Sequence, residues 1–218
     1  MKGRKRVPAY YPVCLNLNGR KCVVVGGGRI ALRKVKALLE HGAEITVISP
    51  DLCLELLQLA GSGKIHVLKR EYRIGDLEGA FVAIAATDSR EIHRQVVAEA
   101  RKQAVLVNTV DDAENSDFIV PSYLRRGDVT VAVSTAGQSP ALARKIRLLL
   151  ERELGDEYAL LANLISEVRS EVKGRKIKVD GDAWQEAIDL DVLLELLRRG
   201  EVEKARATLL NNLKARQK

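Results

Sequence analysis

The sequence is poor in aromatic residues and has no long hydrophobic run, and each shortage argues against a class of protein. Aromatic side chains make up only 4% of the 218 residues. Neither a helix-turn-helix pattern nor an RNA-recognition motif occurs, so a nucleic-acid partner is not expected. The longest apolar run, AFVAIAA at 80–86, is far too short to cross a bilayer. No signal-peptide pattern opens the chain, and no membrane association is expected.

Cysteine and histidine are scarce as well. The cysteines are odd in number and form no C-x-x-C pair, which argues against a disulfide framework and a zinc ribbon. The three of them are Cys14, Cys22 and Cys53. His41, His66 and His93 share no ligand spacing, so no metal site is expected. These features predict a cytoplasmic protein with reduced thiols.

What the chain does have is enough hydrophobic material for a core, together with an excess of positive charge. Hydrophobic residues make up 46% of the sequence and charged residues 30%, with a formal net charge of +7. A basic surface favours an anionic partner, whether a nucleic acid, an anionic lipid or a polyanionic small molecule. The charge alone does not choose between these three.

Apolar strands alternate with amphipathic helices over roughly the first 112 residues. The periodicity predicts strands at 22–25, 44–49, 65–70, 80–87 and 105–110, and helices at 29–41, 51–60 and about 89–103. Gly42 is expected to end the first helix, and Asp88 or Ser89 to cap the third. The alternation predicts an α/β fold built on a Rossmann-like doubly wound parallel sheet.

The pattern changes after residue 112. The segment DFIVPSYLRRGDVTVAVST holds two short strands joined by a turn at 126–128, and they are expected to be antiparallel because no crossover helix separates them. Ser139 is a good N-cap and Pro140 a good first helical residue. Further helices are predicted at 140–154, 156–172, 183–199 and 201–214.

Three segments follow from this organisation. We expect a nucleotide-binding Rossmann domain at 1–112, a β dimerisation segment at 113–140 and a C-terminal helical domain at 141–218. The β segment exposes strand edges that need covering. A second copy of the chain could cover them, so a homodimer is expected.

A glycine-rich turn follows the first strand. Gly26, Gly28 and Ala31 fit G-x-G-x-x-A, the pattern by which a strand enters a helix whose first turn binds a pyrophosphate. Gly26 allows the tight turn, Gly28 lets the backbone approach the phosphates, and Ala31 lets the helix pack closely on the strand. Arg29 and Ile30 then begin the helix, and this context favours a dinucleotide site.

The ends of the second and fourth strands are the next candidates for cofactor contacts. The second strand ends at Ser49, Pro50 and Asp51, where an acid would bind the ribose hydroxyls. Asp51 sits slightly late for this role and is equally well a helix cap. No arginine follows it to pair a 2′-phosphate, so NAD is favoured, although Arg29 and Arg33 keep NADP open.

The fourth strand ends beside the first in the expected sheet order. Thr87, at its end, is a candidate cofactor contact, and Asp88 is a cofactor contact or a cap.

Two acids leave the fifth strand in VNTVDDAENSDF. Asp111 emerges at the carboxyl edge of the sheet, where a nicotinamide ring would lie, and a carboxylate there is able to act as a general base. The simpler interpretation is that Asp111 and Asp112 cap the loop. No Tyr-x-x-x-Lys pattern supports a short-chain dehydrogenase mechanism, and no Cys-His pair suggests covalent catalysis.

Several stretches together resemble the precorrin-2 dehydrogenase family, which is also found as the N-terminal part of sirohaem synthase. They are YYPVCLNLNGRKCVVVGGGRIALRKVKALLEHGAEITVISP, AIAATD, VNTVDDAENSDFIVPS and VAVSTAGQSPALARKIR, in that order. The resemblance covers about residues 9–150. It implies an oxidoreductase that uses NAD to convert precorrin-2 to sirohydrochlorin in sirohaem biosynthesis, working as a homodimer.

The resemblance also assigns residues. The family's catalytic aspartate falls on Asp111, in the N-x-V-D motif that begins at Asn108 and borders the substrate. A serine-rich loop beside the tetrapyrrole pocket falls on Ser134, Thr135, Ala136 and Gly137. Arg144 is among the cations that would hold the substrate's carboxylates. Some family members also insert Fe²⁺, so a bifunctional ferrochelatase is one alternative, and a non-catalytic NAD-sensing module is another.

Overall fold

A computed structural model describes residues 10–110 and 112–216. The described chain forms two compact units, of which the first ends at Val120 and the second begins at Pro121. The predicted separate roles of residues 113–140 and 141–218 stay predictions.

The first unit is built on a parallel sheet. Its strands stand in the order β3-β2-β1-β4-β5, which confirms the Rossmann-like prediction. They are β1 (Lys21–Val25), β2 (Glu44–Ile48), β3 (His66–Leu68), β4 (Val82–Ala85) and β5 (Leu106–Thr109). Val25 pairs with Ile48 on one side and with Ala85 on the other, so the carboxyl ends of these central strands meet at one edge.

Helices cover both faces of this sheet. Alternate side chains of β1 supply the two layers, with Val24 on the face that packs against Val35, and Val23 on the face that packs against Val96. Residues buried on both faces explain the uninterrupted apolar strands of the sequence. The helices are α1 (Arg29–Glu40), α2 (Leu54–Gly61) and α3 (Arg90–Gln103).

The helix ends partly follow the sequence predictions. Gly42 follows α1 with a φ of 73°, as expected of a glycine that ends a helix. Ser89, rather than Asp88, caps α3 by accepting a hydrogen bond from the Ile92 N–H. The prediction that the second helix starts at 51 is wrong, because α2 starts at Leu54 with Cys53 as its N-cap residue. Asp51 is therefore not a helix cap.

A buried carboxylate holds the connection between β3 and β4. Glu99, only 4% exposed, accepts hydrogen bonds from the Tyr72 hydroxyl and from the backbone N–H groups of Gly75 and Leu77. Burial, and then the hydrogen bond to Glu99, raise the pKa of Tyr72 far above its ordinary value. The long connection is thus fixed to α3 by polar contacts.

The second unit joins a hairpin to a group of helices. Strands β6 (Ser122–Arg126) and β7 (Val129–Val133) are antiparallel, as predicted. The helices are α4 (Pro140–Glu153), α5 (Glu157–Gly174), α6 (Gly181–Ala187), α7 (Leu190–Arg198) and α8 (Val202–Ala215). The single helix predicted at 183–199 is wrong, because Asp189 caps a new helix by accepting from the Val192 N–H.

Apolar side chains of α5, α6, α7 and α8 form the core of the second unit. The fully buried members include Val168, Ala187, Leu193 and Leu209. Among the described residues, no helix is both long enough and apolar enough to cross a membrane.

Candidate functional site

The Cβ positions of the three glycines after β1 have different surroundings. A Cβ on Gly26, whose φ is 130°, would lie 2.1 Å from the Ala86 carbonyl oxygen. A Cβ on Gly27 would lie 1.8 Å from the Asp51 carbonyl oxygen. A Cβ on Gly28 would meet no described atom within 4 Å. The fold therefore requires the first two glycines, and only Gly28 faces open space.

The N-terminus of α1 lies directly behind this open space. Gly28 is its N-cap residue and cannot offer a side-chain cap, and the first turn contains no acid. The N–H groups of Arg29, Ile30 and Ala31 precede the first intrahelical donor, Leu32, whose N–H bonds to the Gly28 carbonyl at 3.0 Å. Ala31 is fully buried, which keeps the helix close to the sheet. Free N–H groups and the positive end of the helix dipole suit an anion.

The loop after β2 is fastened to the glycine turn. The Ser49 hydroxyl donates to the Asp51 carbonyl at 2.7 Å, and the Cys53 N–H donates to the Gly27 carbonyl at 2.8 Å. Ser49 is buried, whereas Pro50 and Asp51 are exposed. The Asp51 carboxylate is consequently accessible beside the turn, as the ribose-binding prediction requires.

The end of β4 lies on the other side of the glycine turn. The Ala86 N–H donates to the Val25 carbonyl at 2.7 Å, and the Thr87 nitrogen lies 3.2 Å from the Cβ position of Gly26. Thr87 is half-buried and Asp88 is exposed. The structure thus brings the turn together with the predicted residues that follow β2 and β4.

At the end of β5, Asn108 bonds within the fold at both ends of its side chain. Its Oδ1 accepts from the Lys34 ammonium at 3.1 Å, and its Nδ2 donates to the Phe118 carbonyl at 3.0 Å. Asn108 is only 7% exposed. A direct contact between its amide and a substrate would have to compete with these bonds.

The predicted catalytic residue, Asp111, lies outside the described residues. Asp112 is described, and its carboxylate accepts from the backbone N–H and the side-chain amide of Asn115 at 3.2 and 2.7 Å. Asp112 is therefore a loop-cap acid, one of the two roles considered from the sequence.

The serine-rich loop of the second unit is a closed turn. Ala136 and Gly137 have φ of 52° and 80°, and the Gln138 N–H donates to the Thr135 carbonyl at 3.0 Å. The hydroxyls of Ser134 and Thr135 accept from the backbone N–H groups of Ala136 and Ser139. A non-glycine residue at positive φ is uncommon and marks a tightly constrained loop.

The arginines of β6 and α4 differ in how far other residues engage them. Arg126 donates to the Leu154 carbonyl at 3.0 Å, and Arg147 pairs with Glu151 at 2.7 Å. Arg144 is exposed on α4, and among the described residues no hydrogen bond or ion pair engages it. The donors of the Arg144 guanidinium are thus not used within the described part of the chain.

Sequence reasoning missed Lys34 and the role of Gly27. Lys34 occupies a half-buried position on the sheet side of an otherwise amphipathic helix, which is an unusual place for a lysine. The described residues include no cluster of three or more histidine, cysteine or carboxylate side chains suited to a metal ion.

Comparisons with known proteins agree with this geometry. Residues 13–122 match the model of the family described as "Putative NAD(P)-binding", and residues 126–153 match "Sirohaem biosynthesis protein central". A siroheme synthase of Chromobacterium violaceum is 38% identical over 94% of this chain and 44% of its own length. One from Methylobacillus flagellatus is 42% identical over 75% and 35%. The solved structure "SirC, precorrin-2 dehydrogenase" has a TM-score of 0.74 and 29% identity, covering 94% of this chain and all of its own.

The sheet order and the glycine turn define a dinucleotide-binding protein of the Rossmann class. The chain spans less than half the length of the curated siroheme synthases that it matches. The chain belongs to the family described as "Putative NAD(P)-binding", and over most of its length it is similar to a precorrin-2 dehydrogenase.

Proposed function

We propose that this protein oxidises precorrin-2 to sirohydrochlorin with NAD. The observation that carries the proposal is the glycine turn, open only at Gly28 and flanked by the carboxyl ends of β2 and β4. The likeness to a solved precorrin-2 dehydrogenase over 94% of the chain supports the choice of substrate.

The residues present fit a dinucleotide. The pyrophosphate would lie against Gly28 and the N–H groups of Arg29 and Ile30, because a Cβ at Gly28 would fill that space. The exposed Asp51 would accept hydrogen bonds from the ribose hydroxyls, a role that favours NAD over its 2′-phosphate. Thr87 and Asp88 would contact the cofactor from the end of β4. The oxidised nicotinamide supplies the hydride acceptor.

Asp111 is our candidate for the general base. Two hydrogens leave precorrin-2, one as a hydride and the other as a proton, and the proton needs an acceptor. Asp111 follows β5, whose carboxyl end lies at the same sheet edge as the ends of β1 and β4. Asp112 is already committed to Asn115, so of this pair of acids we assign the proton transfer to Asp111.

Candidate substrate contacts are assigned in each unit by itself. In the second unit, we assign the turn at Ser134, Thr135, Ala136 and Gly137 and the exposed Arg144, because precorrin-2 is a polycarboxylate and guanidinium groups pair with carboxylates. In the first unit, Asn108 would support the substrate through the loop that it holds. Arg144→Gln should raise KM for precorrin-2 about tenfold, whereas Arg152→Gln, an exposed arginine on the same helix, should leave KM within about twofold.

A homodimer and a cytoplasmic location complete the proposal. Within residues 10–110 and 112–216, no further strand pairs with the edges of the β6–β7 sheet. On α4, Leu142, Leu148 and Leu149 are 51, 41 and 57% exposed. Such edges and apolar side chains favour pairing with a second copy. All three cysteines are free, which fits a reducing compartment.

The test is to mix the protein with precorrin-2 and NAD and to record NADH and the tetrapyrrole spectrum together. Both should change in parallel for the wild type, and Asp111→Asn should bind NAD without turnover. NAD binding with no oxidation of precorrin-2 by the wild type would favour the NAD-sensing alternative. Sirohydrochlorin with Fe²⁺, incubated with and without protein, tests the chelatase alternative, in which iron is a substrate.

A further inference from the structure

Lys34 places a cation beside the apolar face by which α1 packs against the sheet. It lies within α1, whose face toward the sheet is made of buried Ala31, Leu32, Val35 and Leu38. Its own side chain is half-buried. Its ammonium donates to the Asn108 Oδ1 at 3.1 Å, which links α1 to the end of β5. Withdrawing an ammonium from water is unfavourable unless it gains such partners.

The bond from Lys34 continues into the loop that leaves β5. The side-chain amide of Asn108 in turn donates a hydrogen bond to the Phe118 carbonyl, at the end of that loop. Between these points, the Val107 N–H donates to the Asp117 carboxylate at 2.9 Å, and the Thr109 N–H donates to the Ser116 hydroxyl at 2.9 Å. These contacts hold the outer edge of β5 against its own loop.

The chain neighbours of position 111 are held on both sides. The Val110 N–H donates to the Ala85 carbonyl at 3.0 Å, and the Asp112 N–H donates to the Thr109 carbonyl at 3.3 Å. The described backbone on each side of position 111 is therefore held by hydrogen bonds, and the Asn108 side chain adds a further bond to the same loop.

We propose that Lys34 is a positioning residue for the dehydrogenation: through Asn108 it holds the described residues on either side of position 111, between β5 and Phe118. This inference rests on the proposed function. A charge-assisted hydrogen bond is stronger than a neutral one and also sets the direction of the amide. Misplacing a catalytic group by about 1 Å lowers turnover by up to about a hundredfold, so a fixed loop matters more for turnover than for binding.

A purely structural lysine would behave differently. If the Lys34 stem only covered apolar surface, methionine would replace it without loss, because its chain is apolar and similar in length. If instead the ammonium orients Asn108, methionine should impair turnover, and arginine, which keeps a charged donor, should restore most of it.

The kinetic experiment compares Lys34→Met, Lys34→Arg and Lys36→Met in the full chain. Lys36 is exposed on the same helix and serves as the matched control. We expect Lys34→Met to lower kcat about tenfold or more, with Kd for NAD within about twofold, and Lys34→Arg to recover kcat to within about threefold. Lys36→Met should match the wild type. A Lys34→Met enzyme with wild-type kcat, or one impaired only in NAD affinity, would overturn the proposal.

A second readout does not depend on activity. Hydrogen–deuterium exchange of the peptide 105–120 should be about tenfold faster in Lys34→Met than in the wild type, and unchanged in Lys36→Met. Equal exchange in both variants would refute the positioning role even if kcat fell. If the wild type failed to oxidise precorrin-2, the proposed function would be wrong, and the exchange data would still decide whether Lys34 fixes the loop.

Discussion

Replacing each of the three glycines after β1 by alanine should separate folding from cofactor binding. Gly28 has an ordinary φ of −86°, and its Cβ position meets no described atom within 4 Å. An alanine there costs up to about 1 kcal/mol as an N-cap residue. It regains about 0.4–1 kcal/mol by restricting the unfolded chain. The free energy of unfolding of Gly28→Ala should therefore stay within about 1 kcal/mol of the wild-type value.

Unlike the stability, the affinity for the cofactor should change in Gly28→Ala. The methyl group of Gly28→Ala would occupy the space through which the backbone approaches the pyrophosphate. We expect Kd for NAD to rise at least about tenfold, which corresponds to about 1.4 kcal/mol.

Gly26→Ala, in contrast, should lose stability because the fold itself has no room for a side chain there. Its φ of 130° and a contact of 2.1 Å with a backbone oxygen should cost about 3 kcal/mol or more of stability. Gly27→Ala, at 1.8 Å from the Asp51 carbonyl, should be similarly destabilised.

Thermal unfolding and NAD titration calorimetry on the three variants measure both quantities. A folded Gly28→Ala protein that binds NAD as tightly as the wild type would refute the assignment of this turn to the pyrophosphate. Wild-type stability of Gly26→Ala would refute the packing argument.

Three further predictions concern the first unit. The Arg70 guanidinium bonds to Asp76 at 2.7 Å and holds the pKa of that carboxyl below its ordinary value. The stability that this pair contributes is present above the unfolded pKa of about 4 and is lost as pH falls through the lower folded pKa. Asp76→Asn should lower the free energy of unfolding by about 2 kcal/mol at pH 7. In chemical denaturation, the stability of this variant should fall less steeply with acid than that of the wild type. Burial raises the pKa of Cys22 to about 11. In the native protein, iodoacetamide should therefore modify the exposed Cys14, whereas Cys22 should react only after unfolding. Peptide mass spectrometry measures the modification of each cysteine. Glu99→Ala should lose about 3 kcal/mol in denaturant titrations, because it leaves buried donors without an acceptor.

The sheet of the first unit was predictable because its strands are buried on both faces. An uninterrupted β-branched run such as that of β1 has few alternatives to a central parallel strand. The glycine turn after β1 was predictable for a related reason, since a glycine pattern between a strand and a helix depends only on residues close in sequence. Its open space in the structure agrees with that local prediction.

Contacts between distant residues were not predictable. The bond from Lys34 to Asn108 joins residues 74 positions apart, and no local pattern marks either as the partner of the other. Gly27 was an unassigned position of the motif, because the carbonyl that crowds it belongs to the loop after β2. The break before α7 was missed because Asp189 lies inside a continuous helical periodicity, and its capping role competes with that pattern.

The most direct measurement is a single-turnover reaction of excess protein and NAD with a limiting amount of precorrin-2. The proposed mechanism predicts that NADH and sirohydrochlorin form in equal amounts, and that Asp111→Asn binds NAD with unchanged affinity but forms neither product. Tight NAD binding by the wild type with no NADH formed, or full turnover by Asp111→Asn, would contradict it.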